Sequence, residues 1–315
     1  MDHVPVLSEA VVEYLAPALE RGGVFVDATL GRAGHASRIL DAAPEAQLVG
    51  IDRDPVALEE SRTHLAPYEG RVRLVRGDFK ELASLLERLG VEKVRGVLLD
   101  LGVSSPQLDE AHRGFSYRAD GPLDMRMDPD QPVSAADIVN GYAVADLERV
   151  IRHNGEERFA RRIARAVVAA RPLETTTELA DVVKEAIPAA TRRSGPHPAR
   201  RTFQAIRIEV NAELTSLRSG LSDAVDVLEP GGRVEVISYH SLEDRIVKQH
   251  FRSEAEGCTC PSDFPVCRCE AQIRVRVLTP RPVRPPDSEV ASNARARAAK
   301  LRVAEKMMTE SDGTA

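Results

Sequence analysis

Three of the first four short apolar runs in this chain end at or beside an aspartate, and that regularity constrains the fold more than any other feature. The runs are Val24-Phe-Val-Asp27, Gln47-Leu-Val-Gly-Ile-Asp52, Val72-Arg-Leu-Val75 and Val94-Arg-Gly-Val-Leu-Leu-Asp100. They alternate with helical periods, which is the pattern of βαβ units and of a mainly parallel sheet. The carboxyl edge of such a sheet gathers the ligand-binding loops. Chemistry is therefore expected beside Asp27, Asp52 and Asp100.

After Asp100 the rhythm changes. From about Leu108 to Pro198 no strand pattern stands out; Ser134 with Asp137 and Thr175 with Glu178 resemble capping boxes, and Gly155 and Pro188 look like helix stops. This predicts an inserted all-helical domain. One long helix is expected next, because Phe203, Ile206, Val210, Leu214, Leu217, Leu221, Val225 and Leu228 recur every three or four residues. The turn Glu229-Pro-Gly-Gly232 leads into a fifth strand, Arg233–Ser238. A further strand at Ile273–Leu278, an extended connector from Pro280 to Pro286 and a charged C-terminal helix complete the expectation. The chain so divides into residues 1–107 and 214–315, an α/β domain in two parts, and residues 108–213.

A chain of 315 residues suits a large domain carrying a smaller one. No apolar run approaches the roughly 20 residues that span a bilayer, and the start Met-Asp-His-Val-Pro lacks the basic and apolar regions of a signal peptide. A cytoplasmic protein with no membrane partner is expected. The four cysteines, Cys258, Cys260, Cys267 and Cys269, form two Cys-x-Cys pairs, open to reading as a metal clip or as a plain surface loop. The formal charge is −6, yet from Ala190 to Arg207 there are five arginines (Arg192, Arg193, Arg200, Arg201, Arg207) and no acid, and Arg281 to Arg302 is again basic. Those patches suit phosphate contacts. With aromatic residues at 4% and no Trp, an RNA site would rest on arginine more than on stacking.

Four segments carry the chemistry. In Asp27-Ala-Thr-Leu-Gly31-Arg-Ala-Gly34-His35 the glycines let the backbone turn and approach a ligand, and the amides of the following helix, expected near Ala36, suit a carboxylate. Asp52 stands about 20 residues on, where an acid takes both ribose hydroxyls. A dinucleotide oxidoreductase would share that pair, but the tight Gly-x-Gly-x-x-Gly turn is missing, and Leu228-Glu-Pro-Gly-Gly232 is a turn common in methyltransferases. Asp78-Phe79 offers an acceptor for an adenine amine and a ring to cover it. The loop Asp100-Leu-Gly-Val-Ser104-Ser105-Pro106-Gln107 supplies acceptors that can orient the N–H groups of an exocyclic amine. His240, in Ser238-Tyr-His-Ser-Leu-Glu-Asp-Arg245, suits a proton relay, a phosphate contact or a plain loop.

These segments, with His3-Val-Pro-Val-Leu7, Gly50-Ile-Asp-Arg-Asp54, Gly114-Phe-Ser-Tyr117, Gly121-Pro-Leu-Asp-Met-Arg-Met127, Arg201-Thr-Phe-Gln-Ala-Ile-Arg207 and Val210-Asn-Ala-Glu-Leu214, resemble the bacterial ribosomal RNA small subunit methyltransferase H (RsmH/MraW) family. The resemblance runs from residue 3 to about 306. It implies a class I S-adenosylmethionine-dependent fold, Rossmann-like with an inserted helical domain. It also implies N4-methylation of a cytidine in the decoding region of 16S rRNA within the small ribosomal subunit, and roles in rRNA processing. Cofactor contacts are implied at Ala33, Gly34, His35, Asp52, Phe79, Asp100 and Gln107, with Asp100, Ser104, Ser105 and His240 as the catalytic candidates. Ala33 departs from the glycine many members carry, and a positive φ there would cost about 1 kcal/mol or more. A non-catalytic RNA-binding or ribosome assembly factor on the same fold is the alternative.

Overall fold

The computed structural model describes residues 5–189, 197–257 and 272–308. The four cysteines, Arg192 and Arg193 lie outside the described residues. Two units are present, Met1–Gly102 with Leu214–Ala315, and Val103–Glu213. The sequence draws the first of these boundaries at 107/108.

The first unit begins with α1 (Ser8–Leu19), β1 (Gly23–Asp27), α2 (Gly34–Ala42), β2 (Ala46–Asp52), α3 (Pro55–Leu65), β3 (Val72–Arg76), α4 (Leu82–Arg88) and β4 (Val94–Asp100). The second unit carries α5 (Ser105–Asp109), α6 (Ala135–Gly141), α7 (Val144–Gly155), α8 (Ala160–Ala169), α9 (Thr176–Ala186) and α10 (Arg200–Val210). The chain returns along α11 (Glu213–Val227) to β5 (Leu228–Ser238), α12 (Ser241–Ala255), β6 (Val275–Val277), α13 (Asp287–Ser292) and β7 (Lys300–Lys306).

The strands form one seven-stranded sheet in the order β3-β2-β1-β4-β5-β7-β6. The first five pair in parallel, and β7 runs antiparallel to both β5 and β6. Alternate strand residues serve two cores. Val26, Val49, Ile51, Val97 and Leu99 join α4, α11 and α12 on one face, while Phe25, Leu48 and Leu98 join α1 and α2 on the other. Strand order reverses between β1 and β4, so the crevice of a doubly wound sheet opens between the ends of those two strands. Asp27 and Asp100 are the residues that stand there.

Among the described residues the expected charged C-terminal helix is limited to the short α13, and Lys300–Lys306 is strand β7, interior to the sheet. Its cations suggest a solvated helix only until their partners are seen. Lys300 Nζ and Arg302 Nε donate to the two oxygens of Asp244 at 2.8 and 2.7 Å, and Lys306 Nζ donates to the Val225 carbonyl at 2.9 Å. Leu301 and Val303 complete the buried face.

In the second unit one hydrophobic cluster is built by α6 to α10, and both predicted capping boxes form, Ser134 with Asp137 and Thr175 with Glu178. Gly155 ends α7, packed so closely that a Cβ would stand 2.6 Å from the Arg201 carbonyl oxygen. The predicted long helix is broken. It becomes α10 and α11, because Asn211 ends the first and Ala212 takes a left-handed φ of 49°. The Asn211 carboxamide is buried; it accepts from the Met127 amide at 2.8 Å and donates to the Met125 carbonyl at 2.8 Å. Asn211→Ala strands both of those backbone groups, so urea denaturation should show a loss of about 3 kcal/mol. A loss below about 1 kcal/mol would mean the break is held by something else.

Candidate active site

The glycine loop is laced to both neighbouring strands. Ala28 N donates to the Leu98 carbonyl on β4 at 2.9 Å, Leu30 N to the Ile51 carbonyl on β2 at 3.0 Å, and Gly31 N to Asp52 Oδ2 at 2.8 Å. The Asp100 amide donates to Thr29 Oγ1 at 2.6 Å. The loop is thus fixed before any ligand arrives. Gly31 needs its freedom for conformation, with φ 51° and no more than an ordinary contact, the Thr29 carbonyl oxygen at 3.9 Å, where a Cβ would lie. Gly34 is small for a different reason, since a Cβ would fall 2.6 Å from Pro5 Cγ. Ala33, fully buried, adopts the left-handed region at φ 62°, so the strain of about 1 kcal/mol is present. No side chain caps α2, which starts at Gly34 and so presents its first amides at the sheet edge.

Around this loop the structure brings together Asp27, His35, Asp52, Asp100 and Tyr239. Tyr239, directly after β5, donates its hydroxyl to Asp100 Oδ1 at 2.9 Å. His35 Nε2 lies 3.5 Å from Asp100 Oδ2, and neither nitrogen of this buried ring makes a hydrogen bond. Asp27 is 2% exposed and accepts from the Thr29 amide at 3.3 Å. Burial pushes its carboxyl up to about 7 against the opposing pull of His35, with Asp100 and Asp52 adding to the rise. Burial also raises Asp52, opposed by the amides of Asp54 and Gly31. Tyr239 is held well above the usual phenol range by burial and then by Asp100.

Asp52 Oδ1 accepts the Asp54 amide at 2.9 Å, and Asp54 in turn caps α3 through the Val56 amide at 3.0 Å. Asp78 follows β3 and faces Arg53 at 3.5 Å and Lys80 at 3.7 Å. The Phe79 ring packs on α11, where a Cβ on Gly220 would lie 2.6 Å from it. His240 caps α12: its Nδ1 accepts the Glu243 amide at 3.4 Å, and Glu243 answers by accepting the amides of Tyr239 and His240. Ser104, Ser105 and Gln107 belong to the second unit and form the start of α5. There the Ser104 hydroxyl accepts from the Gln107 amide, and Gln107 Oε1 accepts from the Ser104 amide at 3.0 Å. Arg207 is locked in a two-pronged pair with Glu213, both bonds 2.8 Å, and is structural.

Sequence reasoning assigns no separate role to Thr29, Asp27 or Tyr239. The available signal was position: Asp27 ends β1, and Tyr239 follows β5 at the same edge as Asp100.

The donor set discriminates among nucleotide ligands. A pyrophosphate would meet the strand-end acids Asp52 and Asp100, which disfavour it. An adenosyl sulfonium with an amino acid tail suits them, since its positive charge meets acids and its carboxylate can meet the α2 amides. The strand order 3-2-1-4-5-7-6 with an antiparallel seventh strand, and this acidic glycine loop at the switch point, define a class I S-adenosylmethionine-dependent methyltransferase fold. The chain belongs to the MraW methylase family, whose model matches residues 1–307. It is 55% identical over 309 residues to the ribosomal RNA small subunit methyltransferase H of Geobacter sulfurreducens, covering 97% of this chain and 99% of that one. The protein of the same name from Brevibacillus brevis is 52% identical over 309 residues, covering 97% and 98%.

Proposed function

We propose that this chain methylates ribosomal RNA of the small subunit with S-adenosylmethionine, and that its target is N4 of a cytidine in the decoding region of 16S rRNA. The names of its relatives support the RNA. The observation that carries the chemistry is the acidic edge, where Asp100 keeps a carboxylate 27% exposed with one oxygen fixed by Tyr239. Asp52 takes the ribose hydroxyls, Phe79 covers the adenine, and Ala33, Gly34 and His35 line the amino acid end. Gln107 is the remaining residue proposed for the cofactor.

The cofactor supplies an electrophilic methyl group. Direct attack by the amine would form the N–C bond as the methyl–sulfur bond breaks and S-adenosylhomocysteine leaves, so no protein nucleophile is needed, and the methylated amine would then shed one proton. Asp100 is the proposed acceptor, and Ser104 and Ser105, which follow it in the chain, are the hydroxyls proposed to orient the N–H groups. His240 is a poorer acceptor, because its Nδ1 already holds the Glu243 amide. A base in a helix hides its exocyclic amine, so the cytidine is presented unstacked.

Labelled methyl transfer to unmodified small subunits, followed by mass spectrometry of the RNA, tests this reading. One additional methyl on one cytidine is expected. Tight binding with no transfer would favour the non-catalytic assembly factor instead. Calorimetry should detect S-adenosylhomocysteine and no NAD.

A further inference from the structure

We propose that the exposed face of α8 is the surface that grips the RNA phosphate backbone, an inference that rests on the function proposed above. From Arg158 to Leu173 there are five arginines and no Asp or Glu. Arg171 is structural, since it donates to the carbonyls of Val139 and Tyr142. The other four are exposed: Arg161, Arg162 and Arg165 fall at spacings of three and four, which places them on one side of α8, and Arg158 sits in the turn just before it. Ala160, Ile163, Ala164 and Val167 occupy the buried side.

This face is unfavourable to the isolated protein in two ways. Arg161 and Arg165 are a like-charge pair at i and i+4. Arg161 and Arg162 stand in the first turn, where the helix dipole disfavours cations and no acid is present. Neighbouring helices of the same unit show the usual remedy. On α7, Arg149 pairs with Asp146 at 3.2 Å and Arg152 with Glu148 at 2.7 Å, and on α9 Lys184 pairs with Asp181 at 3.9 Å. Among the described residues, the side chains of Arg161, Arg162 and Arg165 pair with no acid. A row of unneutralised arginines in a chain of net charge −6 calls for an anionic partner.

The chemistry favours RNA over an acidic protein. Protein interfaces bury an apolar centre, and the exposed large hydrophobics among the described residues, Val56, Val133, Ile273, Met307 and Met308, are all elsewhere. Guanidinium groups along one helix face match repeated phosphates. On α10, Arg201 Nη1 donates to the Glu156 carbonyl beside Arg158 and lies 3.9 Å from Glu157, so Arg201 is a paired neighbour of the patch and not part of its unneutralised row. The Arg158 guanidinium lies 4.6 Å over the Phe159 ring, a cation stacked on one of the few aromatics.

The test uses the full chain carrying Arg161→Gln, Arg162→Gln and Arg165→Gln together, with Arg149→Gln and Arg152→Gln as the matched control. Affinity for a 16S rRNA transcript and for unmodified small subunits is measured across about 50 to 200 mM salt. The triple variant should bind both probes at least about tenfold more weakly at about 150 mM salt, with the log–log salt slope reduced by about 2. Its affinity for S-adenosylhomocysteine should match the parent, and its melting temperature should be no lower. The control should keep the parental slope. Parental RNA affinity and slope in the triple variant would overturn the proposal, as would an equal loss in the control. Loss of subunit binding with transcript binding intact would reassign the face to a ribosomal protein and equally overturn it. A parent that binds neither probe would instead overturn the proposed function, and this inference with it.

Discussion

Asp52→Ala should weaken binding of S-adenosylhomocysteine by about a hundredfold or more. Two hydrogen bonds from ribose hydroxyls to a charged acceptor are worth about 1.5 to 3 kcal/mol each, and each 1.4 kcal/mol is tenfold in affinity. The structure enlarges the expected loss, because the same carboxylate also receives the Gly31 and Asp54 amides at 2.8 and 2.9 Å. Removing it releases the glycine loop on one side and the entry to α3 on the other. A fall of about 2 kcal/mol or more in unfolding free energy should accompany the change. Asp52→Asn separates the two roles, since the amide keeps an acceptor and the shape but loses the charge. One of the two backbone amides then faces the carboxamide NH2 where it had an oxygen, so that variant should lose about 1 kcal/mol or more of unfolding free energy and bind about tenfold more weakly. Isothermal titration at parental affinity for both variants would remove Asp52 from the site.

Much of this site was legible because a parallel sheet turns sequence order into spatial order. Once Asp27, Asp52 and Asp100 are placed at strand ends, the sheet brings them to one edge whatever the loops between them do. Other features depend on partners that sequence spacing does not reveal. Lys300, Arg302 and Lys306 read as a solvated helix because their partners lie far away in the chain: Asp244, which pairs with the first two, and the Val225 carbonyl, which accepts from the third. The break at Asn211 was hidden for the same reason, since the apolar period runs through it and only the backbone of Met125 and Met127 demands the carboxamide there. Ala33 shows the limit at one residue: nothing in its identity announces a left-handed backbone. Charge patterns were equally ambiguous. Arg207 looked like part of a basic patch and proves to be paired with Glu213, whereas Arg161, Arg162 and Arg165 of α8, embedded in a plain amphipathic period, pair with no acid among the described residues.

The acidic edge also sets a stability profile. The Asp27 carboxyl is raised from an ordinary 3.8 to about 7, chiefly by burial, so the folded chain holds a proton that the unfolded chain has already released. Below about pH 4 both states are protonated and the contribution of this group is fully present. As pH rises from about 4 the unfolded state ionises first, and the contribution declines until the folded carboxyl ionises near 7, after which it stays level. A shift of about three units at 1.36 kcal/mol each corresponds to about 4 kcal/mol lost across that window. Other titrating groups act on the same curve, so the informative quantity is the difference between the parent and Asp27→Asn, in which they largely cancel. Denaturant unfolding at pH 4, 5, 6, 7 and 8 should show that difference moving in favour of the variant by about 4 kcal/mol, with most of the change complete by about pH 7. A difference that is constant over this range would mean that Asp27 ionises normally in the folded protein.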